Sequence, residues 1–314
     1  MAHELEMIDG KAQMAYVGEL PWHGLGTKVD RELTPDQFQK VAGLDWTVEK
    51  QPLVTATGIP IKNKEALIRS SDNSVLDVVG TGWNPVQNSE AFEFFHDYVM
   101  AGDMEMHTAG SLKDGQMVWA LAKTKESFEL FKGDQTDNYF LFTNPHQFGK
   151  SINIRMTPIR VVCNNTLSMA LTEKSQPAVR LSHRNEFDAS VVKELLGISH
   201  TRVQQFKEAA EFLGSKQYKN ADFERFLAKV FGASSQEHKI LSRTGERALE
   251  IVETQPGANF KPGSWWNAFN AVTYMTDHEL GRSDDARASS SLFGANSRKK
   301  LDALDLAVEM AETA

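Results

Sequence analysis

A chain of 314 residues with 41% hydrophobic and 24% charged residues has room for one large core or two ordinary ones, and that composition excludes disordered and fibrous classes. Its formal net charge of −8 argues against a uniformly basic binder of nucleic acid, and its one cysteine, Cys163, excludes a disulfide framework. No apolar run approaches the roughly 20 residues of a membrane span, and the first residues lack the basic and apolar stretches of a signal peptide, so a cytoplasmic protein in its host cell, without membrane contact, is expected.

Thr34, Pro35 and Asp36 supply an N-cap and a proline at the first helical position, predicting a helix that ends at Gly43. Strands are predicted around Trp46–Val54, Ala66–Ile68 and Val75–Val79, with Ser71–Ser74 as a hairpin turn. Asn88 or Ser89 caps a second helix, whose Ala91, Phe92, Phe95, Tyr98 and Val99 recur at three- and four-residue steps up to Gly102. Met104–Leu112 and Gln116–Ala122 read as a hairpin closed by Lys113, Asp114 and Gly115. Tyr139–Thr143 and Ser151–Met156 read as another pair, joined through Pro145, His146, Phe148 and Gly149.

From Pro158 the pattern predicts a helix over Arg160–Leu171 and a short strand over Ala178–Ser182. Helical spacing then fills Phe187–Leu213, Asp222–Phe231, Glu237–Glu253, Ser264–Leu280 and Arg298–Ala311. Strands first and helices later is the α+β arrangement. The expectation is an antiparallel sheet with packed helices in the N-terminal part, residues 1–185, followed by a mostly α-helical part, residues 186–314.

Most catalytic and cofactor signatures are missing. None of the nine histidines stands three or four residues from another or beside a cysteine pair, so no metal site is predicted. Gly24–Lys28 and Gly80–Gly82 lack the spacing of phosphate-binding loops and read as turns, so no nucleotide cofactor is predicted. Cys163 with His146 and His183 is the one arrangement that could support a nucleophile, but a cysteine on an apolar helix face is more commonly a small core residue. Asp277–Glu279 reads as a solvated or interface face. Trp22 with His23, and the late aromatic set Trp265, Trp266, Phe269 and Tyr274, could stack bases, although core packing is the commoner fate of such residues.

Charge is distributed unevenly. Residues 1–149 carry 12 Lys and Arg against 22 Asp and Glu, a net of −10, and residues 185–314 carry 16 against 19, a net of −3. Between them Lys150, Arg155, Arg160, Lys174, Arg180 and Arg184 face only Glu173, a net of +5. Alternation along 150–156 puts Ser151, Asn153 and Arg155 on one sheet face, with Lys150, Ile152, Ile154 and Met156 alternating the other way. Asn164 and Asn165 follow on the predicted helix, and Arg180 and Arg184 return on and after the next strand. Arginines and amides are the groups that position a phosphate backbone.

Five stretches together carry a resemblance: PWHGLG (Pro21–Gly26), AGSLKDG (Ala109–Gly115), TNPH (Thr143–His146), RVVCNNTL (Arg160–Leu167) and NAFNAVTYMTDH (Asn267–His278). They resemble the phage/plasmid-like protein family, domain of unknown function 932, over about residues 15–310. Pro145 and Gln147 depart from the family's pattern, where Ser and Asp are expected. The resemblance implies a mobile-element setting and no particular reaction. By analogy with single-strand annealing recombinases, the expected function is binding and annealing of single-stranded DNA by a homo-oligomer. Lys150, Arg155, Arg160, Arg180 and Arg184 would grip phosphates, with Asn164 and Asn165 on the backbone and no metal or cofactor. The alternative is a protein-interaction module that antagonises a host protein through its acidic N-terminal half.

Overall fold

The computed structural model describes residues 5–18, 25–160, 178–184, 204–234, 240–282, 287, 290–291 and 294–313, with 126, 155, 157–160 and 178–180 by backbone alone. The chain divides into two compact units. The first comprises Met1–Lys125, Tyr139–Met156 and Ala178–Leu196, and the second Glu126–Asn138, Thr157–Pro177 and Gly197–Ala314. The architecture is α+β, with antiparallel sheets towards the N-terminus and helices towards the C-terminus.

Strand β1 (Met7–Ile8) pairs with β2 (Lys11–Ala12) in a small ribbon turned by Asp9 and Gly10, both at positive φ. Strands β3 (Met14–Val17) and β4 (Thr27–Val29) are parallel neighbours at one edge of the main sheet. The sequence pattern does not announce these N-terminal strands, because each has only two to four residues and β4 is specified by its pairing rather than by its own pattern.

Helix α1 (Pro35–Val41) forms where expected. Thr34 Oγ1 accepts from the Gln37 amide at 3.3 Å and Gln37 Oε1 accepts from the Thr34 amide at 3.0 Å, a reciprocal cap that satisfies two otherwise orphaned donors. Gly43 follows it at φ +73°, a backbone conformation that favours glycine. Helix α2 (Asn88–Met100) is capped not by Asn88 or Ser89 but by Gln87, whose backbone amide donates to Glu90 Oε2 at 2.5 Å. Asn88 faces inward instead.

Strands β5 (Val48–Val54), β6 (Pro60–Arg69) and β7 (Val75–Gly80) form an antiparallel three-stranded sheet with β6 central. Beyond Lys64, which pairs with Gly80, β6 continues towards Pro60 with β5 alone, making a two-stranded ribbon whose residues 55–64 are exposed. The main sheet adds β8 (Met104–Leu112), β9 (Met117–Glu129), β10 (Gln135–Pro145), β11 (Ile152–Arg160) and β12 (Ala178–Leu181), in the order β12-β11-β10-β9-β8-β3-β4. Helices α1 and α2 pack on it over β3 and β8. Phe94 and Phe95 of α2 meet Phe142 of β10 at ring-centroid distances of 6.2 and 6.3 Å. Residues 136–145 are all buried, the apolar Tyr139–Phe142 and the polar Thr136, Asp137, Asn138, Thr143 and Asn144 alike.

One ion-pair network crosses the first unit. Arg69, 4% exposed, pairs with Glu6, 3% exposed, and grips Asp72 with two donors at 3.0 and 2.5 Å. Ser111 donates to the second Glu6 oxygen. The turn at Lys113–Gly115 closes over Arg69, whose Nη1 lies 2.5 Å from where a Gly115 Cβ would stand. The guanidinium hydrogen bond holds the Asp72 carboxyl well below the usual carboxylate range.

The described helices of the second unit are α3 (204–215), α4 (Asn220–Phe231), α5 (Arg243–Ile251), α6 (Trp265–Tyr274) and α7 (Ala295–Glu312). Helix α5 begins after Ser242, which caps it. Leu241 instead bridges to Ala233, so the predicted helix start at Glu237 does not extend through 240–242. The start of the predicted helix Phe187–Leu213 lies outside the described residues. Trp265, Trp266 and Phe269 are buried core residues: Trp266 meets Phe131 and Phe206 at 6.1 and 6.0 Å, and Trp265 meets Phe226 at 5.7 Å. A π-helical turn, Met275–Glu279, follows α6. In it Asp277 is buried against the fully buried Lys300, 2.6 Å away, and Glu279 pairs with Arg247, so of the solvated and interface readings of this face the solvated one does not hold for Asp277. Among the described residues no helix is long and apolar enough to cross a membrane.

Candidate nucleic-acid interface

Strand β12 is one of the two outer strands of the main sheet, and its register with β11 arranges the basic segment. Asn153 lies opposite Arg180, and Arg155 lies opposite Ala178. Because alternate residues of a strand share a face, positions 153 and 155 of β11 and position 180 of β12 fall on the same side of the sheet. The other side is buried through Ile152, Ile154 and Met156, as the sequence predicts. Lys150 precedes β11 and is exposed, and Arg184 follows β12 and is exposed, its amide donating to Ser182 Oγ at 3.2 Å. Four of the seven predicted residues, Lys150, Arg155, Arg180 and Arg184, therefore belong to one sheet margin.

Arg160 does not open a helix. It is the last residue of β11, and by alternation position 160 belongs with the set 152, 154 and 156. Strand β11 continues through Thr157, Pro158 and Ile159 to Arg160, although Ile159 and Arg160 reverse the apolar-polar alternation of 152–156. Asn164, Asn165 and Cys163 lie outside the described residues, as do the rest of the predicted Arg160–Leu171 helix and the Trp22–His23 loop.

The connection from β10 to β11 is anchored along its length. Asn144 Nδ2 donates to the Val86 carbonyl at 2.8 Å. His146, wholly buried, meets Asn88 Oδ1 through Nε2 at 3.1 Å, while Asn88 Nδ2 donates to the Leu44 and Trp46 carbonyls at 3.2 and 3.4 Å. With its amide nitrogen so engaged, Asn88 presents an acceptor, which places the His146 proton on Nε2. Burial, and secondarily the charge of nearby His183, push His146 down to about 3. His183 is also lowered by burial, against which the carbonyls of Asn84 and Pro145 act. Its Nδ1 lies 3.1 Å from the Asn84 carbonyl, its carbonyl accepts from the Asn84 amide at 2.6 Å, and its ring stacks on Trp83 at 4.1 Å. Both histidines are neutral structural ties of the segment 84–88 to the sheet.

Beyond His146 the chain turns outward. The His146 amide donates to the Gln116 carbonyl at 2.8 Å, and Gln147 Nε2 donates to Gln116 Oε1 at 2.7 Å. The Phe148 amide donates to Asp77 Oδ2 of β7 at 2.7 Å, and the Lys150 amide closes a turn on the Gln147 carbonyl at 3.3 Å. Gly149 at φ +73° supplies the positive φ that a type II turn requires at its third residue. Phe148 is 60% exposed, the only exposed aromatic side chain among the described residues, and Lys64 Nζ stands 5.1 Å from its ring centroid. From the sequence Phe148 reads only as part of a loop. Its signal is an aromatic residue directly before the Gly149-Lys150 turn that leads into the basic strand.

The Gly80–Gly82 stretch is a turn in which Trp83 donates to the Gly80 carbonyl at 2.9 Å and Lys50 Nζ reaches the Thr81 carbonyl at 2.7 Å. Among the described residues no group of three or more His, Cys, Asp and Glu side chains is placed to hold a metal ion.

These elements define an α+β protein in which the β11–β12 margin carries exposed Lys150 and Arg184 beside positions 155 and 180. The chain belongs to the family described as a domain of unknown function (DUF932), whose profile matches residues 75–302, a span that includes the Phe148 turn, β11 and β12. No curated protein and no solved structure matches the chain.

Proposed function

We propose that this chain binds single-stranded DNA along the β11–β12 margin and promotes annealing of complementary strands, as a recombination-mediator-like protein of a mobile element acting through several copies. The observation that carries this reading is the register of β12 on β11, which puts positions 155 and 180 on one face next to exposed Lys150 and Arg184. An extended strand of phosphates suits a linear row of cations, and its bases stay available for pairing. The overall charge of −8 would confine nucleic acid to this margin through repulsion elsewhere.

The test is fluorescence anisotropy with a labelled single-stranded oligonucleotide across a salt series. Wild type should bind with a steep salt slope, and Arg155→Ala with Arg180→Ala should flatten it by roughly 0.7 for each phosphate that the variant no longer neutralises. Arg160→Ala should change it less, because position 160 alternates onto the opposite side. Absence of binding at low salt sinks the reading, whereas binding justifies an annealing assay.

A second reading, a module that engages a host protein, has one observation in its favour. The β5–β6 ribbon exposes Val54, Ile59 and Ile61 to solvent, the type of surface a protein partner covers. Asp72 and Asp77 are poor probes of it, since Asp72 holds Arg69 and Asp77 holds the Phe148 turn. Replacing Ile59 and Ile61 by Ser is the cleaner test: loss of a co-purifying host protein with oligonucleotide binding intact would favour this second reading.

A further inference from the structure

We infer that Phe148 is a base-stacking platform, the point at which the protein meets an unpaired base rather than the phosphate backbone. This rests on the single-stranded DNA reading and adds to it a specific site. A lone exposed apolar side chain is ordinary and by itself carries nothing. Phe148 differs in how it is mounted. The residue before it is tied to Gln116 by its side chain, its own amide is tied to Asp77, and the residue two after it closes the turn on Gln147. A side chain left on a mobile loop would need ordering when a ligand arrives, whereas this backbone is already fixed. The ring therefore stands in solvent on a rigid base, in the i+1 position of a turn whose next residue, Gly149, takes φ +73°.

The surroundings match a nucleotide. Lys64 approaches the ring from β6, with Nζ 5.1 Å from its centroid, and Lys150 follows two residues later, exposed, at the start of the basic margin. With Lys64 over the ring, a base would stack on its other face while the nearby ammonium groups attract the neighbouring phosphates. Stacking tolerates any sequence because every base has a π-face. From Phe148 the chain leads through Lys150 into β11, on which position 155 shares a sheet face with position 180 of β12. Asp77 accepts from the Phe148 amide with one oxygen and from the Val78 amide with the other, at 2.6 Å, so its charge is engaged by backbone donors.

The experiment compares two labelled strands of equal length and equal charge, one an oligothymidylate and one built of abasic deoxyribose phosphates, at a single low salt concentration. Wild type should favour the base-bearing strand by roughly tenfold, the order expected for one stacked base. Phe148→Ala should abolish that preference while leaving affinity for the abasic strand and the salt slope unchanged, and Phe148→Trp should restore or strengthen it. A Phe148→Ala variant that keeps the preference overturns the platform and leaves the phosphate margin standing, the outcome expected if the ring serves a protein partner. A wild type that binds neither strand overturns both. A Phe148→Ala variant that loses both strands equally also overturns the platform, because stacking affects only the base-bearing one.

Discussion

His146 and Phe148 stand two residues apart in one connection and have opposite roles. His146 is wholly buried, tied to Asn88, and through Asn88 to the carbonyls of Leu44 and Trp46. Phe148 stands in solvent on the turn that those ties hold in place. A polar residue has gone inside and an apolar one outside, the reverse of ordinary partition. Both placements follow from hydrogen bonding. Every residue from Asn144 to Phe148 except Pro145 donates or exchanges a hydrogen bond with an element far away in sequence, and the ring is left where the turn puts it. The difference separates residues that make the scaffold from those that face a partner, and each can be perturbed without the other.

The largest effect is expected from the buried ion pairs. Arg69→Met strips Glu6 of its cation in a site where Glu6 is 3% exposed, and losing one partner of a buried pair costs about 3–5 kcal/mol. Chemical denaturation should show that loss at neutral pH. Asn88→Ala comes next: it removes the donor to two carbonyls and the partner of His146, all buried, at about 2–4 kcal/mol. Its expected signature is a lower denaturation midpoint with an unchanged slope. A variant of either residue that retains full stability would show that the scaffold does not depend on these ties.

Acid should act on the scaffold before it acts on any carboxylate. His146 is held near 3 in the fold, against about 6.5 when unfolded. The unfolded chain therefore takes up a proton that the folded chain refuses, so stability is complete above pH 6.5 and falls as pH drops from 6.5 towards 3. The slope from this group is at most about 1.4 kcal/mol per pH unit, and His183, also lowered by burial, adds in the same direction. Asp72, depressed by Arg69, contributes stability that is lost only at lower pH still. Denaturation at pH 7, 6, 5 and 4 should show the decline begin near 6.5; a flat profile to pH 5 would mean that His146 can protonate in place.

The sequence reveals those features whose determinants lie close together along the chain. The Thr34 cap and its Gln37 partner are three residues apart, the Lys113–Gly115 turn is contiguous, and the alternation over 151–156 needs only neighbours, and all three appear in the structure. The burial of His146 depends on Asn88, 58 residues away, and that of Asp277 on Lys300, 23 residues away, and no local pattern reports such partners. Trp265 and Trp266 carry a loud aromatic signal and are core, whereas Phe148, one ring in a polar loop, carries a faint one and is exposed. Arg160 shows the same limit for element ends: the helix pattern beyond it reaches one residue into a strand that pairing prolongs. For the site, the basic residues are legible by charge, but their sharing of one face needs the β11–β12 register.

The smallest effect is the one that separates the two roles most sharply. Phe148→Ala removes a ring that buries little, while its amide, which holds the turn through Asp77, is kept by any residue but proline. Surface substitutions of this type fall within about 0.5 kcal/mol, so the denaturation midpoint should scarcely move. Gly149→Ala, by contrast, leaves the ring intact and strains the turn, because alanine resists φ +73°, at a cost of about 1 kcal/mol. If Phe148 only faces outward, the alanine variant is as stable as wild type and Gly149→Ala is the less stable of the two. If Phe148→Ala proves the less stable, the ring is buttressing the loop through Lys64 and belongs with His146 to the scaffold.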